Sequence, residues 1–498
     1  MRPVLTTRRG RLRGTTGPAG TASFKNIPYA AAPTGPLRFS PPCPPSAWDG
    51  VRDAGAYGPT APQAPYPPPM DRLLPERLVP GEDFLNLNVW TPDPAGRLPV
   101  LVWLHGGAFT NGSGSLTGYD GTAFARDGVV LVTLDHRLGV EGFLHFGPGD
   151  PAPANLGLLD QIAALAWVHD NIASFGGDPD RVTVFGQSAG AMSVGALLAM
   201  PAAKGLFHRA ALQSGAAHHA LSPASAALVA GRLAAILEVA PTRPAVAAVP
   251  VERLLAAQVR LRGEISARPD PALWGEAALN LMPFEPVVDQ DTLPHAPLDA
   301  IAAGAAAGVD VLVGCTGDEF RLFTVASGPS RPVTDDLVER TASAYGLPPG
   351  RGVAAYRDAF PGASPGELLA EIATDWFYRL PALRLAEAQA RHGARAFVYE
   401  FAWSSPAFGG ALGACHALDV PFVFDNLTDP SFAPLLGDSP PQAIADGMHA
   451  AWVAFATTGD PGWPAYGEPR RAVRRFAVAP AVDHDPRGGL RTLWDGLR

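Results

Sequence analysis

Four runs of apolar and β-branched residues constrain this chain more than any other feature: FLNLNVW (84–90), PVLVWLHGGAF (99–109), VVLVTLDHR (129–137) and the VTVF that begins VTVFGQSAG (182–190). A strand with one wet face alternates apolar and polar residues, whereas a near-continuous apolar run belongs to a strand covered on both faces, as in a parallel sheet. Helical patterns follow these runs, most visibly Leu156 to Ile172, with apolar residues at Leu158, Leu159, Ile162, Leu165, Ala166 and Val168. The alternation predicts an α/β fold with a mostly parallel central sheet flanked by helices. VDVLVGCTGDEF and ARAFVYEFAW read as further sheet strands, RGRLRGT and FKNIPYA as short ones. The proline-rich passage 41–80 reads as a long surface loop overhanging a cleft. Two mainly helical segments, around 223–272 and 334–392, are expected to wall the strand ends, with Pro381 bending or breaking the second.

Composition narrows the class. Of 498 residues 47% are hydrophobic and 17% charged, enough apolar material for a large core. A net charge of −9 offers no basic field for a phosphate backbone or an anionic membrane, so neither nucleic acid nor membrane is expected as a partner. The basic N-terminus lacks an apolar stretch after it, and no run of about 18 apolar residues occurs, so a soluble cytoplasmic protein is expected. Cys43, Cys315 and Cys415 lack CxxC spacing, which argues against a disulfide framework and a structural zinc site. The thiols flanking the candidate site, Cys315 and Cys415, are expected to be buried, reduced and inert.

In VTVFGQSAGAM a strand pattern stops at glycine, serine follows two residues later, and a helical pattern runs on to Pro201. Packing does not need a serine framed this way, but a nucleophile does, because flanking glycines let a sharp turn push Oγ outward. GxSxG alone is short enough to arise by chance; its position between strand and helix raises its weight. The N–H of Ala189 would then lie at a helix N-terminus, where the dipole favours an oxyanion. Gly106 and Gly107, directly after the run 100–104, could be a simple tight turn or could let backbone N–H groups approach the same oxyanion.

A serine hydroxyl needs a base, and among twelve histidines His416, in GGALGACHALDVPFVF, is the candidate. A hydrogen-bonded structural histidine is the bland alternative. The base needs a carboxylate between 188 and 416 at a strand end, and VLVGCTGDEF offers both Asp318 and Glu319. Chemistry alone leaves that choice open.

The segments GQSAGA, WLHGGAF, GDEF and GACHALDVPFVF resemble motifs of the type B carboxylesterase and cholinesterase family, in the family's chain order. So do EDFLNLNVWTP, HRLGVEGFL, NLGLLDQIAALAWVHDNIASFGGDP, TDWFYRLP and AWVAFATTGDPGWPAY, so the resemblance covers nearly the whole chain. It implies an α/β-hydrolase fold and a serine esterase with the triad Ser188, Glu319 and His416. It also implies an oxyanion hole from the N–H groups of Gly106, Gly107 and Ala189, a small-molecule ester as substrate, and no cofactor or metal. Length alone suggests about three domains of roughly 150 residues. Triad members spread from 188 to 416 must converge, so a single domain over 1–498 with helical insertions is expected instead, acting as a monomer.

Departures from the family pattern qualify this. Phe84 stands where secreted eukaryotic members carry a disulfide cysteine, in keeping with a reducing compartment. No tryptophan lies between Trp48 and Glu82, so choline esters are not expected to be preferred. Gln187 replaces a common glutamate and removes a charge, and Phe320 replaces a small residue and is expected to narrow the pocket. Two rival functions stay open: a catalytically silent adhesion or binding member of the fold, and an amidase, carbamate hydrolase or acyl-transfer activity at the same site.

Overall fold

In the computed structural model, residues 2–147, 149–150, 152–326 and 333–497 are described. Eleven strands form one mixed sheet. At its centre Leu98–Leu104 lies between Val130–Leu134 and Gly177–Gln187, parallel to both, and Arg209–Gln213, Asp310–Thr316, Ala396–Phe401 and Ala472–Phe476 continue the parallel part outward. Antiparallel pairing is confined to the two margins. Asn86–Thr91, Ala22–Pro28 and Thr15–Thr16 close one side and Ala481–His484 the other. A separate small sheet joins Val4–Thr6, Arg11–Arg13 and Val51–Asp53.

The apolar runs are strands because only a two-faced burial accommodates them. Val100, Val102 and Leu104 enter one hydrophobic core, and Leu101 and Trp103 enter the other on the opposite face. The same alternation separates Val311 and Val313 from Leu312. Helix Leu156–Asn171 covers the first core with Leu158, Leu165 and Val168 fully buried, as its periodicity requires.

Helices also occur where insertions are expected: Pro223–Leu237 and Val251–Ala267 in one segment, Asp335–Ala344, Arg351–Ala359, Pro365–Thr374 and Leu380–Arg391 in the other. Pro381 does not break the last helix. The backbone stays helical from 365 through 391, and the π-helical turn Asp375–Arg379 directly before Pro381 changes the bonding pattern where a residue without an N–H has to fit. The proline-rich passage is almost wholly irregular. Its Gln63 and Ala64 bind the glycine loop that follows Leu98–Leu104, through Gln63 to Gly112 and Asn111 Nδ2 to the Ala64 carbonyl at 2.6 Å. Among the described residues no helix is long and apolar enough to cross a membrane.

Candidate active site

Strand Gly177–Gln187 and helix Ala189–Ala199 are separated by Ser188 alone. Reversing the chain in one residue forces Ser188 to φ 56°, ψ −126°, a conformation that costs a non-glycine residue about 1–3 kcal/mol. The surroundings hold it there. Ser188 N–H donates to the Gln213 carbonyl at 2.9 Å, and the Ser188 carbonyl accepts the Met192 N–H at 2.8 Å. The flanking glycines serve close approach: a Cβ on Gly190 would fall 2.0 Å from the Leu104 carbonyl oxygen, and one on Gly186 would fall 2.6 Å from the Gly190 carbonyl carbon.

The loop after Leu98–Leu104 lies directly against this turn. A Cβ on Gly106 would sit 3.1 Å from Ser188 Cβ and 2.9 Å from the Gln187 carbonyl oxygen. Gly107 adopts φ 124°, which L side chains rarely do, and its carbonyl accepts the Thr110 and Asn111 N–H groups at 3.0 and 2.9 Å. Behind the loop the rings of His105 and His136 stack at 4.8 Å. Burial keeps both neutral, pushing them down to about 3 and about 4. Each uses Nδ1 on a backbone carbonyl, Gly106 at 2.9 Å and Arg137 at 3.0 Å. The N–H groups of Gly106, Gly107 and Ala189 meet no protein acceptor among the described residues. Three unpaired donors beside Ser188, one opening a helix, suit an anion.

His416 is brought to the same place from 228 residues downstream of Ser188. Its Nδ1 lies 2.5 Å from Glu319 Oε2, and its own backbone N–H donates to the Glu319 carbonyl at 3.3 Å. The other Glu319 oxygen accepts the Thr316 N–H at 2.8 Å, so the carboxylate is anchored to the end of its strand. A carboxylate on Nδ1 selects the Nδ1–H tautomer and leaves Nε2 as an acceptor. That nitrogen is occupied at 3.1 Å by Gln187 Nε2, which the amide donates, and Ser188 Oγ makes no hydrogen bond to it. Tyr378 and Phe323 pack on the ring at 4.9 and 5.4 Å.

Geometry separates the two adjacent carboxylates. Asp318 does not meet the imidazole; its Oδ2 accepts the Ala414 N–H at 2.8 Å, its N–H donates to the Ala414 carbonyl at 2.9 Å, and its Oδ1 pairs with Arg321 at 3.1 Å. Phe320 packs against Phe323 and Phe377 at 5.3 and 5.5 Å, joining Tyr378 in an aromatic cluster beside His416. Cys315 and Cys415 are buried, free, and pushed up from the ordinary thiol range by burial. Among the described residues no group of three or more His, Cys, Asp and Glu is arranged to hold a metal ion.

Sequence reasoning missed two things here. It treated Gln187 as an absent charge and did not foresee its bond to the imidazole; a side chain on the last strand residue before Ser188 was the available signal. It also passed over Asp419, in His416-Ala-Leu-Asp419, and the residues that hold it.

The carboxylesterase family model matches residues 1–473. The para-nitrobenzyl esterase of Bacillus subtilis is 40% identical over 98% of this chain and 97% of its own. The phenmedipham hydrolase of Pseudarthrobacter oxydans is 38% identical over 93% of each. Among solved structures, a Geobacillus stearothermophilus carboxylesterase superposes with a TM-score of 0.86 at 42% identity, over 99% of this chain and all of that one.

Proposed function

This chain belongs to the carboxylesterase family and is a carboxylic ester hydrolase, and on that premise we propose that Ser188, His416 and Glu319 carry the reaction as nucleophile, base and orienting acid. The observation that supports this most is the placement of His416: Glu319 holds Nδ1, while Nε2 faces the carboxamide of the residue immediately before Ser188.

Nε2 first exchanges its Gln187 partner for the Ser188 hydroxyl. Oγ then attacks the ester carbonyl as its proton passes to Nε2, and Glu319 stabilises the imidazolium that results. The carbonyl oxygen, now an oxyanion, takes the N–H groups of Gly106, Gly107 and Ala189, donors already in place and not needed elsewhere. The alcohol departs with the proton from Nε2, leaving an acyl ester on Ser188. Water enters along the same line, gives its proton to Nε2, and frees the acid. The protein's own side chains supply every proton transfer.

The aromatic cluster of Phe320, Phe323, Phe377 and Tyr378 favours a neutral ester with an apolar group on the base side. The whole of 1–498 is proposed to act as one domain, within which all six groups come together, and as a monomer. Its three free thiols support a cytoplasmic compartment. A fluorophosphonate probe tests the site: the adduct is expected on Ser188 by mass spectrometry, with loss of p-nitrophenyl ester hydrolysis in step with labelling. An adduct on Ser193 or Ser214, or full activity after labelling, would overturn the assignment.

A further inference from the structure

Asp419 follows His416 by three residues and is fully buried. Its Oδ2 accepts two hydrogen bonds, from Gln213 Nε2 at 3.0 Å and from Tyr399 Oη at 2.9 Å, while its Oδ1 has no partner. Gln213 is also the residue whose carbonyl receives the Ser188 N–H, and it stands opposite Gln187 in the parallel register of the two strands. One side chain therefore links the turn that carries His416 to the residue that fixes Ser188. Tyr399 reaches Asp419 across Gly314, its register partner on the next strand; a Cβ there would lie 2.4 Å from the Tyr399 ring.

The half-satisfied carboxyl is the telling feature. An asparagine could accept both donors on one oxygen, though its own N–H donors would be unpaired where Oδ1 now sits, so what the carboxyl alone adds is a negative charge beside His416. We propose that Asp419 is a positioning residue for the base, tying the His416 turn to the Ser188 turn through Gln213 and supplying a second negative charge that stabilises the imidazolium formed during proton transfer. The proposal rests on the triad reading above.

The groups that face Asp419 are few. Cys415 and His416 share its turn, Glu319 comes from the neighbouring strand-end loop, Tyr399 from Ala396–Phe401, and the uncharged Gln213 from Arg209–Gln213. Burial pushes the Asp419 carboxyl up to about 6; the Gln213 bond opposes this, the Glu319 charge adds to it, and Tyr399 and His416 oppose it.

The test compares pH profiles on a neutral p-nitrophenyl ester with the full-length protein. Asp419→Asn is expected to lower kcat about tenfold with KM little changed. Its acid limb should move to lower pH by about half a unit, because removing a negative neighbour makes the imidazole a poorer proton acceptor. Tyr399→Phe, which alters little volume, withdraws one donor from Asp419, keeps that carboxyl protonated over a wider range, and should move the limb in the same direction by less. Limbs that stay in place in both variants, or losses that follow falling thermal stability alone, would overturn the proposal. Ser188→Ala and His416→Ala serve as controls: wild-type turnover in either defeats the triad reading and this inference with it, whereas inactive controls with unmoved limbs defeat only the role of Asp419.

Discussion

The turn that carries Ser188 and the turn that carries His416 are held in place by different physics. The first is backbone against backbone: a one-residue reversal at positive φ, two glycines pressed against Leu104 and its neighbours, and a main-chain bond to Gln213. The second is a loop that two main-chain bonds join to the Asp318–Glu319 turn, His416 N–H to the Glu319 carbonyl and Asp318 N–H to the Ala414 carbonyl, and that carboxylates orient. Asp318 binds the Ala414 backbone, Glu319 binds His416, and Asp419 binds Gln213 and Tyr399. A backbone-built turn tolerates almost no added atom, whereas a side-chain-built turn should respond in graded, charge-dependent steps.

The largest effect expected breaks the chemistry and leaves both turns intact. Ser188→Ala should lower turnover by roughly 10⁶-fold, the scale of losing a triad nucleophile, without loss of stability, since alanine lacks only the reacting oxygen. Single-turnover and melting measurements check both halves.

Next, the two carboxylates of the base turn should separate. Glu319→Gln is expected to cost on the order of 10⁴-fold in turnover, because an amide on Nδ1 permits the wrong tautomer. Asp318→Asn should cost far less and show chiefly as a lower melting temperature, since its work is on the Ala414 backbone. The reverse ranking in folded variants would hand the orienting role to Asp318.

Gly190→Ala sharpens the contrast from the other side. Its methyl would meet the Leu104 carbonyl oxygen at 2.0 Å, so the turn must shift, with overpacking of about 1–3 kcal/mol and a fall in kcat of about 10²-fold. Unchanged kcat and stability would show that the turn is less tightly seated than its contacts say.

Gln187 belongs to the first turn by position and touches the second through its bond to His416. A carboxylate there cannot donate to Nε2 but can accept from the protonated ring, so Gln187→Glu should move the acid limb of kcat/KM upward by about one pH unit. Cationic esters should gain relative to neutral ones. A limb that stays in place, with the new carboxylate shown by titration to be ionised, removes the electrostatic role.

The smallest effect concerns the thiols. Alkylation of the half-buried Cys43 should leave hydrolysis unchanged, while Cys315 and Cys415 should resist reagents in the native protein. Rapid labelling of Cys415 with loss of activity would mean that the base turn opens more readily than its bonds suggest.

How much of this could be read in advance follows the same division. Val100 to Leu104 and Val182 to Phe185 announce buried strands, and Gly186, Gly190, Gly106 and Gly107 mark the turns, because a local conformation or close approach demands those residue types nearby in the chain. The base side was legible only as candidates. Nothing between 310 and 419 says that Glu319 turns toward the imidazole while Asp318 turns toward the Ala414 backbone; those two contacts are visible only in the fold. Pro381 shows the limit of local rules, since the helix continues past it where a π-helical turn directly before it alters the bonding pattern.

Sequence by itself determined the architecture, the Ser188 turn and the glycine loop beside it, because strand burial and backbone sterics are decided by residues near one another in the chain. Only the tertiary structure decided which nitrogen of His416 meets which partner, that Gln187 occupies Nε2, and that Asp419 reaches Gln213 and Tyr399. These contacts join residues up to 229 positions apart, and their directions are set by how the parallel strands align in the sheet and how the loops at their ends pack, quantities that no short stretch of sequence contains.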